Sequence, residues 1–343
     1  MAENIMLPFS FFTLILVVLT SPLQYTGVPS SCQGLQSKHE FSNFSVGQRF
    51  ATDNLSICVY NDTTCCTEDM EQLLHKLSQS NVRNIHTAKM DLIQKIFSNG
   101  VTTFKDFFEG HIDSSDAALD KKFTRLYQDV YANNSHVTKS FYDKLRKHYR
   151  NGDYKINKIV DDFFKEVLKR MYVYVKGGKA SDFDMDCVSL TYYQIQPFGK
   201  VPREIIPRLE RSIAAARSLI YGLKVGNTVV ENLNNDGWFS DKCLKSVTKM
   251  SQCSICAGYS NLKPCAGHCI DVFTECLSSL TELEHVWDDY LFYLTFLGSK
   301  LSAEYDFDAI TRELPNDISF GITNCRDALI QKIIPKVCKI FFI

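Results

Sequence analysis

Apolar residues recur at intervals of three and four along most of this chain, the spacing that places them on one face of an α-helix. The first such stretch starts at Glu68, after a polar, cysteine-bearing segment over residues 32–66. Its apolar positions are Met70, Leu73, Leu74, Leu77, Ile93, Ile96 and Phe97, and, beyond an expected break at Asn99-Gly100, Phe104, Phe107 and Phe108. Strand-like alternation is almost absent, so we predict an all-α fold.

The clearest predicted helix runs over Ile156–Tyr174. Its apolar stripe consists of Ile159, Val160, Phe163, Phe164, Val167, Leu168 and Met171. Charged residues occupy the opposite face, as in a helix that packs one side against a core, and a Gly-Gly pair marks its expected end. We therefore predict that Phe163, Val167 and Met171 are buried.

Two more helices are predicted further along the chain. One follows Pro207, has Gly226 near its end, and carries Leu209, Ile213, Ala216, Ile220 and Leu223 on one face. The other spans about Leu280–Leu301, with Leu283, Val286, Trp287, Tyr290, Leu291, Leu294 and Leu297 at helical spacing. We expect an elongated helical body stapled by disulfides, with an irregular cysteine-rich lobe formed from residues 32–66.

The chain contains 13 cysteines, which cluster in its later half. Cys253, Cys256, Cys265, Cys269 and Cys276 follow one another closely, with Cys243 just before them. In a cytosolic protein this spacing suggests a zinc site, to which the nearby His268 could contribute, whereas in an exported protein it suggests a disulfide framework. The cellular compartment decides between the two.

The first 31 residues favour export. Met6–Leu19 is apolar and uncharged, and it is shorter than the roughly 20 residues that a membrane-spanning helix needs. Such a run followed by small and turn-forming residues is typical of a signal peptide, so we expect residues 1–31 to be a signal peptide and leader, an N-terminal core helix being the alternative. The N-x-[ST] triplets at Asn43, Asn54, Asn61 and Asn133 agree with export and are candidate N-glycosylation sites. Oxidised cysteines are then expected, and their odd number leaves at least one thiol without an intramolecular partner.

Composition excludes some protein classes. Hydrophobic residues make up 45% of the chain and charged residues 22%, which is ordinary for a folded protein. The formal net charge is −1, so bulk charge gives no support to a nucleic-acid partner. After removal of the leader, a chain of this length suits one elongated domain or two compact ones.

The sequence contains no motif for a known catalytic site, a phosphate-binding loop or a zinc protease, so no enzyme and no cofactor are expected. The acidic pairs Asp184 with Asp186 and Asp288 with Asp289 lack the ligand spacing of a calcium loop. We interpret them as solvated carboxylates and predict no metal site.

The cysteine block resembles the signature of the glypicans, which are heparan sulfate proteoglycan core proteins. The positions in register are Cys253, Cys256, Gly258, Pro264, Cys265, Cys269, Val272 and Cys276, and the departures are Tyr259, His268 and Glu275. Upstream segments are similar as well, among them Phe123-Thr-Arg-Leu-Tyr127 and Gln196-Pro-Phe-Gly-Lys-Val-Pro-Arg203. The resemblance covers about residues 32 to 338, and it identifies 32–343 as a glypican-like core domain.

The resemblance implies a disulfide pattern. The implied pairs are Cys32–Cys65, Cys58–Cys253, Cys66–Cys256, Cys187–Cys338 and Cys243–Cys276. The family partners of Cys265 and Cys269 would lie beyond residue 343, and Cys325 has no family counterpart. These three cysteines are therefore expected to be orphans.

The resemblance also implies a function. Glypicans carry heparan sulfate on Ser-Gly sites in a C-terminal stalk, followed by a GPI-anchor signal; this chain contains no Ser-Gly dipeptide, and its last residues do not fit an anchor signal. The resemblance implies an extracellular core protein of the cell-surface heparan sulfate proteoglycan type, which modulates signalling by growth factors or morphogens of the Wnt, Hedgehog, FGF and BMP classes as a co-receptor. Its expected partners are these factors and their receptors. We expect this sequence itself to lack heparan sulfate attachment sites, the stalk and the anchor signal. In the family the protein body can also bind lipid-modified ligands directly. The alternative is a secreted, glycan-free, cysteine-rich ligand-binding protein.

Overall fold

The structure is a computed structural model that describes residues 32–35, 41–42, 44, 50–51, 54–59, 63–234, 239–259, 262–325 and 330. The predicted signal peptide and leader, over residues 1–31, lie outside this part of the chain. Within the described ranges, no helix combines the length and the apolar character that crossing a bilayer requires.

The fold is all-α, as predicted. The described residues form nine helices: α1 (Glu68–Ala132), α2 (His136–Asn151), α3 (Ile156–Val175), α4 (Asp182–Ile195), α5 (Val201–Leu233), α6 (Asp241–Cys256), α7 (Ala266–Cys276), α8 (Thr281–Leu301) and α9 (Phe307–Asn324). Short 3₁₀ turns cover Cys32–Leu35 and Ser278–Leu280. Two short strands, β1 (Phe50–Ala51) and β2 (Thr63–Thr64), pair antiparallel.

Local side chains fix several helix ends. The α4 start is a capping box, in which Ser181 and Asp184 exchange hydrogen bonds between side chain and backbone. The Ser240 hydroxyl accepts from the backbone N–H of Cys243 at the start of α6. Helix α2 ends at Gly152, whose φ of 79° is a left-handed conformation that glycine adopts at little cost.

Two predicted helix boundaries were wrong. Helix α1 continues through Asn99-Gly100, because an interior glycine costs only about 1 kcal/mol relative to alanine and a helix this long tolerates it. Helix α5 begins at Val201, so Pro207 lies inside it and not before its start. Proline removes a single backbone hydrogen bond, and the helix persists on either side with Leu209 and Ile213 buried as predicted.

The chain divides into two compact units. The cysteine-rich unit contains the described residues up to Ser98 together with Val225–Phe292, and the aromatic unit contains Asn99–Lys224 and the described residues from Tyr293 onward. The unit boundaries fall within α1, α5 and α8.

Aromatic rings in tilted and edge-to-face contact form the core of the aromatic unit, where α2 packs on α3 and α3 packs on α4. Phe163 lies with its ring centre 4.7 Å from that of Phe141 and 5.2 Å from that of Phe164. Phe164 continues the chain of contacts to Phe198 at 4.8 Å. Aromatic pairs at these distances add to the stability gained from burial alone.

Candidate ligand-binding groove

Four disulfide bonds staple the cysteine-rich unit. They join Cys32 to Cys65, Cys58 to Cys253, Cys66 to Cys256 and Cys243 to Cys276, the same partners that the glypican resemblance implies. The bonds from Cys253 and Cys256 span sequence separations of 195 and 190 residues. The first of them to form contributes about 5 kcal/mol in the chain-entropy model, and the second contributes less because it then closes only a short loop. Because both sulfurs are bonded to cysteines of the N-terminal segment, a zinc site built on them is excluded.

A buried carboxylate fixes the loop that carries Cys58. Glu71 of α1 is 2% exposed, and its oxygens accept hydrogen bonds from the backbone N–H groups of Ser56, Ile57 and Cys58 at 2.7–2.9 Å and from the Ser56 hydroxyl at 3.1 Å. Burial raises the pKa of Glu71, but these hydrogen bonds outweigh burial and hold the pKa below its ordinary value. Glu71 is therefore ionised at neutral pH and orients the loop.

The remaining cysteines differ in exposure. Cys265, just before α7, is an exposed free thiol, whereas the free thiol of Cys269 is buried, and burial raises its pKa. Cys325 is buried at the end of α9. Cys187 is disulfide-bonded, but Cys338 lies outside the described residues, so the Cys187–Cys338 pairing stays a prediction.

Two of the four candidate glycosylation sites are described. Asn54 is exposed, and Asn133 is exposed in the turn between α1 and α2. Asn43 and Asn61 lie outside the described residues. Exposed positions outside helices suit sugar attachment, which remains a prediction for all four.

The acidic pairs are placed as solvated or capping groups. Asp184 caps α4, Asp186 is exposed, and Asp288 and Asp289 are exposed on α8. Across the described part of the chain, no group of three or more His, Cys, Asp and Glu residues is placed to hold a metal ion.

An open cavity of about 370 Å³ lies in the aromatic unit and is called here the apolar groove. One wall is the end of α1 over Phe123–Tyr131, and the opposite wall is the second half of α3 over Val167–Val175, with Val137 of α2 and Ile322 of α9 between them. Ile330 also lines it. Its size is within the range of small-molecule sites, which span about 300–1,000 Å³.

The prediction that Phe163, Val167 and Met171 of α3 are all buried was wrong for two of the three residues, and the groove explains why. Phe163 is buried as predicted, but Val167 and Met171 are only partly buried because they face the groove and not a neighbouring side chain. On α1, Leu126 and Val130 are 49% and 38% exposed at the lip of the same cavity. Large apolar side chains left open to solvent around one cavity are typical of a binding site.

The polar groups of the groove are neutral, with one exception. The Tyr131 hydroxyl donates to Asp120 and lies 2.8 Å from the Thr138 hydroxyl oxygen. Burial, reinforced by Asp120, raises the pKa of Tyr131 to about 12, so this hydroxyl stays protonated at physiological pH. Among the described lining residues, Arg170 alone is charged. The groove therefore suits an extended apolar ligand.

A kink in α1 shapes one wall of the groove. Gln128 has φ 46° and ψ −122°, an unfavourable conformation for a residue other than glycine, and the groove-lining residues Tyr127 and Val130 lie on either side of it. Such strain costs about 1–3 kcal/mol and is often found where a binding site requires it.

The cysteine-rich unit has a smaller apolar cavity of about 180 Å³ between α5 and α8. Leu283 and Val286, two members of the stripe predicted on α8, line this cavity and are 43% and 65% exposed. The α8 stripe is thus only partly core.

Comparison with known proteins supplies the family. The family model for glypicans matches residues 18–340. Glypican-1 of Gallus gallus is 26% identical over 302 residues, which cover 87% of this chain and 54% of the chicken protein. This chain thus spans about half the length of the relatives that it matches.

Solved structures share the fold. The crystal structure of C-terminally truncated glypican-1 aligns with a TM-score of 0.83 at 23% identity, covering 90% of this chain and 74% of that chain. The structure of Dally-like protein in complex with O-palmitoleoyl serine aligns with a TM-score of 0.73 at 24% identity, covering 92% of this chain and 75% of that chain. Because the family model extends over nearly the whole sequence, this chain belongs to the glypican family.

Proposed function

We propose that this chain is an extracellular glypican core protein that modulates growth-factor or morphogen signalling as a co-receptor, and that it binds an acyl-modified ligand directly through the apolar groove. The proposal assigns the chain a binding role and no catalytic one. Its support is the family, together with a cavity whose walls are apolar and open to solvent.

The apolar groove is the observation that carries the proposal. Aliphatic and aromatic side chains line both walls of the groove along an extended path. They lie between Phe123 and Tyr131 on α1 and between Val167 and Val175 on α3. Each methylene that leaves water for such a surface contributes about 0.8 kcal/mol, so a single long acyl chain gains most from this shape. Dally-like protein, which shares the fold, has been solved with an acylated serine.

The proposed acyl binding does not depend on glycosaminoglycan chains. The sequence contains no Ser-Gly dipeptide, and direct binding by the protein body requires none. A secreted, glycan-free ligand-binding protein is the alternative. Heparan lyase treatment of the protein made by its own cells distinguishes a heparan sulfate-bearing core protein from this alternative, since a shift in electrophoretic mobility indicates attached heparan sulfate.

The direct test is binding of O-palmitoleoyl serine, with serine as the ligand control, measured by calorimetry on the secreted protein. Leu126→Asp places a charge at the groove lip, at a position that is 49% exposed, and should weaken binding at least tenfold without unfolding the protein. The matched control is Leu190→Asp on α4, where Leu190 is 59% exposed outside the groove, and its affinity should equal that of the wild type.

Absence of acyl-serine binding by the wild type would refute the groove as the ligand site. Equal losses in Leu126→Asp and Leu190→Asp would show that the ligand binds elsewhere or that any added charge interferes.

A further inference from the structure

A second cavity adjoins the apolar groove. It has a volume of about 410 Å³, lies between α2 and α3, and is called here the cationic cavity. Val137 and Arg170 line both cavities, so the two are neighbours along α3. A ligand that fills the groove therefore comes close to the cationic cavity at these two side chains.

The cationic cavity carries more positive than negative charge. Its basic residues are Lys144, Lys165, Lys169 and Arg170, and its acidic residues are Asp162 and Glu166. The described ion pairs leave this excess in place, since Asp162 pairs only with Lys144, at 3.7 Å, and Glu166 pairs with both Lys169, at 3.9 Å, and Arg170. Lys165 lies over the ring of Tyr193 at 4.4 Å.

The surrounding helices increase this charge. Residues 136–179, which form α2, α3 and their flanks, contain twelve Lys and Arg and five Asp and Glu, a net charge of +7 in a chain whose formal net charge is −1. Asp113, Asp116 and Glu109 of α1 pair with Arg146 and Arg150, and counting these three carboxylates leaves +4. A concentration of one sign of charge around a cleft attracts ligands of the opposite sign.

Donors remain available for an anion. Glu166 accepts from Nε and Nη2 of Arg170, which leaves Nη1 for a ligand. The Lys169 ammonium is 3.9 Å from Glu166, which is longer than a hydrogen bond. Carboxylates and phosphates bind such guanidinium and ammonium groups through short, charge-assisted hydrogen bonds.

We propose that the ligand of this site is a single-chain amphiphile with an anionic head, whose acyl chain occupies the apolar groove and whose head lies in the cationic cavity beside Lys169 and Arg170. This inference rests on the proposed acyl binding and specifies the polar end of the ligand. A fatty-acid carboxylate and a lysophosphatidate phosphate both have the required chemistry.

The test compares the binding of two ligands with the same acyl chain, palmitoleic acid and its methyl ester, to the secreted protein. The wild type should bind the acid about tenfold more tightly than the ester, the gain expected from one hydrogen bond between charged groups. Lys169→Gln should lower this acid-to-ester ratio, and Glu166→Gln should raise it, because Glu166 competes with the ligand for the same cations. Palmitoleoyl lysophosphatidate is the third ligand, and its affinity relative to palmitoleic acid identifies which head the cavity prefers.

Lys158→Gln is the matched control, since Lys158 is exposed on the same helix, lines neither cavity and carries the same charge. Its ratio should equal that of the wild type.

Equal wild-type affinity for acid and ester would overturn the inference while leaving the proposed acyl binding intact. Failure of both ligands to bind would refute the acyl groove itself. If Lys158→Gln and Lys169→Gln lowered the acid-to-ester affinity ratio equally, the preference for the acid would come from long-range electrostatic attraction, and the inferred site for the head group would be wrong. Tight binding of a heparin oligosaccharide with no acid preference would assign the cationic cavity to a polyanion and would also overturn the inference.

Discussion

Glu71 provides the sharpest test of how the cysteine-rich unit is held together. Replacing it with glutamine keeps its shape but converts one carboxylate oxygen into an NH₂ group. In the wild type one oxygen accepts from Ile57 and Cys58, and the other accepts from the backbone and the hydroxyl of Ser56. The amide oxygen can keep only one of these pairs.

The expected cost follows from that geometry. The amide oxygen should remain with the more buried pair, Ile57 and Cys58, while NH₂ faces Ser56. The Ser56 hydroxyl can rotate to accept from NH₂, but its backbone N–H loses its partner. Glu71→Gln therefore loses one hydrogen bond to a charged group and weakens the others, which should lower the free energy of unfolding by about 2–4 kcal/mol. Glu71→Ala, which removes all four hydrogen bonds, should cost more.

The loss of stability in Glu71→Gln should depend on pH. The pKa of Glu71 is lower in the folded protein than in the unfolded chain, where it is about 4.3. Its stabilising contribution is therefore complete above pH 4.3 and is lost as the pH falls through the folded-state pKa. The difference in unfolding free energy between the wild type and Glu71→Gln should narrow as the pH is lowered from 5 to 3.

The assay is urea unfolding with the disulfides intact, combined with hydrogen exchange at the backbone amides of residues 56–58, which should become faster in Glu71→Gln. The control is Glu68→Gln, three residues earlier on α1 and exposed, which should change stability by no more than about 0.5 kcal/mol. A loss below about 1 kcal/mol in Glu71→Gln, or a difference that does not vary with pH, would refute the reasoning.

Three further predictions concern other parts of the chain. Phe163→Ala should lower the unfolding free energy by about 3–5 kcal/mol, because its ring packs between aromatic neighbours; a neutral effect in thermal unfolding would show that it is not core. Gln128→Gly should stabilise the protein by about 1 kcal/mol, because glycine adopts the kinked conformation without steric strain. Lys121→Gly, on a regular turn of α1, should destabilise it by a similar amount, and equal losses in both would mean that Gln128 is unstrained. Iodoacetamide should label Cys265 in the native protein and Cys269 only after unfolding, and Cys265→Ser should abolish the disulfide-linked oligomers that we expect of the oxidised chain. Equal native labelling of the two thiols, or oligomers that persist in Cys265→Ser, would contradict that assignment.

Periodicity located four of the nine described helices, α1, α3, α5 and α8, and gave the bounds of α3 and α8 to within one residue. It misplaced a break in α1 and the start of α5. The stripe on α3 gave the correct helix because its apolar residues follow the α-helical repeat. The same repeat cannot distinguish a helix face that meets another helix from one that lines a cavity, which is why Val167 and Met171 were assigned to the core. Gly100 gave a false break, and the true kink at Gln128 has neither glycine nor proline to mark it.

Local sequence patterns could not predict the contacts between segments that are distant in the sequence. The four described disulfides match the resemblance, which transfers pairing from relatives, and spacing alone did not determine them. Glu71 reads as an ordinary residue in the first turn of a helix, and its partners 13–15 residues earlier become visible only when the loop is placed against α1. The cationic cavity depends in the same way on how α2 and α3 pack.

The position of a bound acyl chain is the most direct test of the proposed function. A palmitoleoyl serine analogue with a light-activated diazirine near the end of its chain can be cross-linked to the protein and located by peptide mass spectrometry. We predict labelling of Phe123–Tyr131 on α1 and Val167–Val175 on α3, which form the walls of the apolar groove. Labelling confined to the smaller cavity lined by Val229 and Trp287, or scattered over the exposed apolar residues, would contradict the groove as the ligand site.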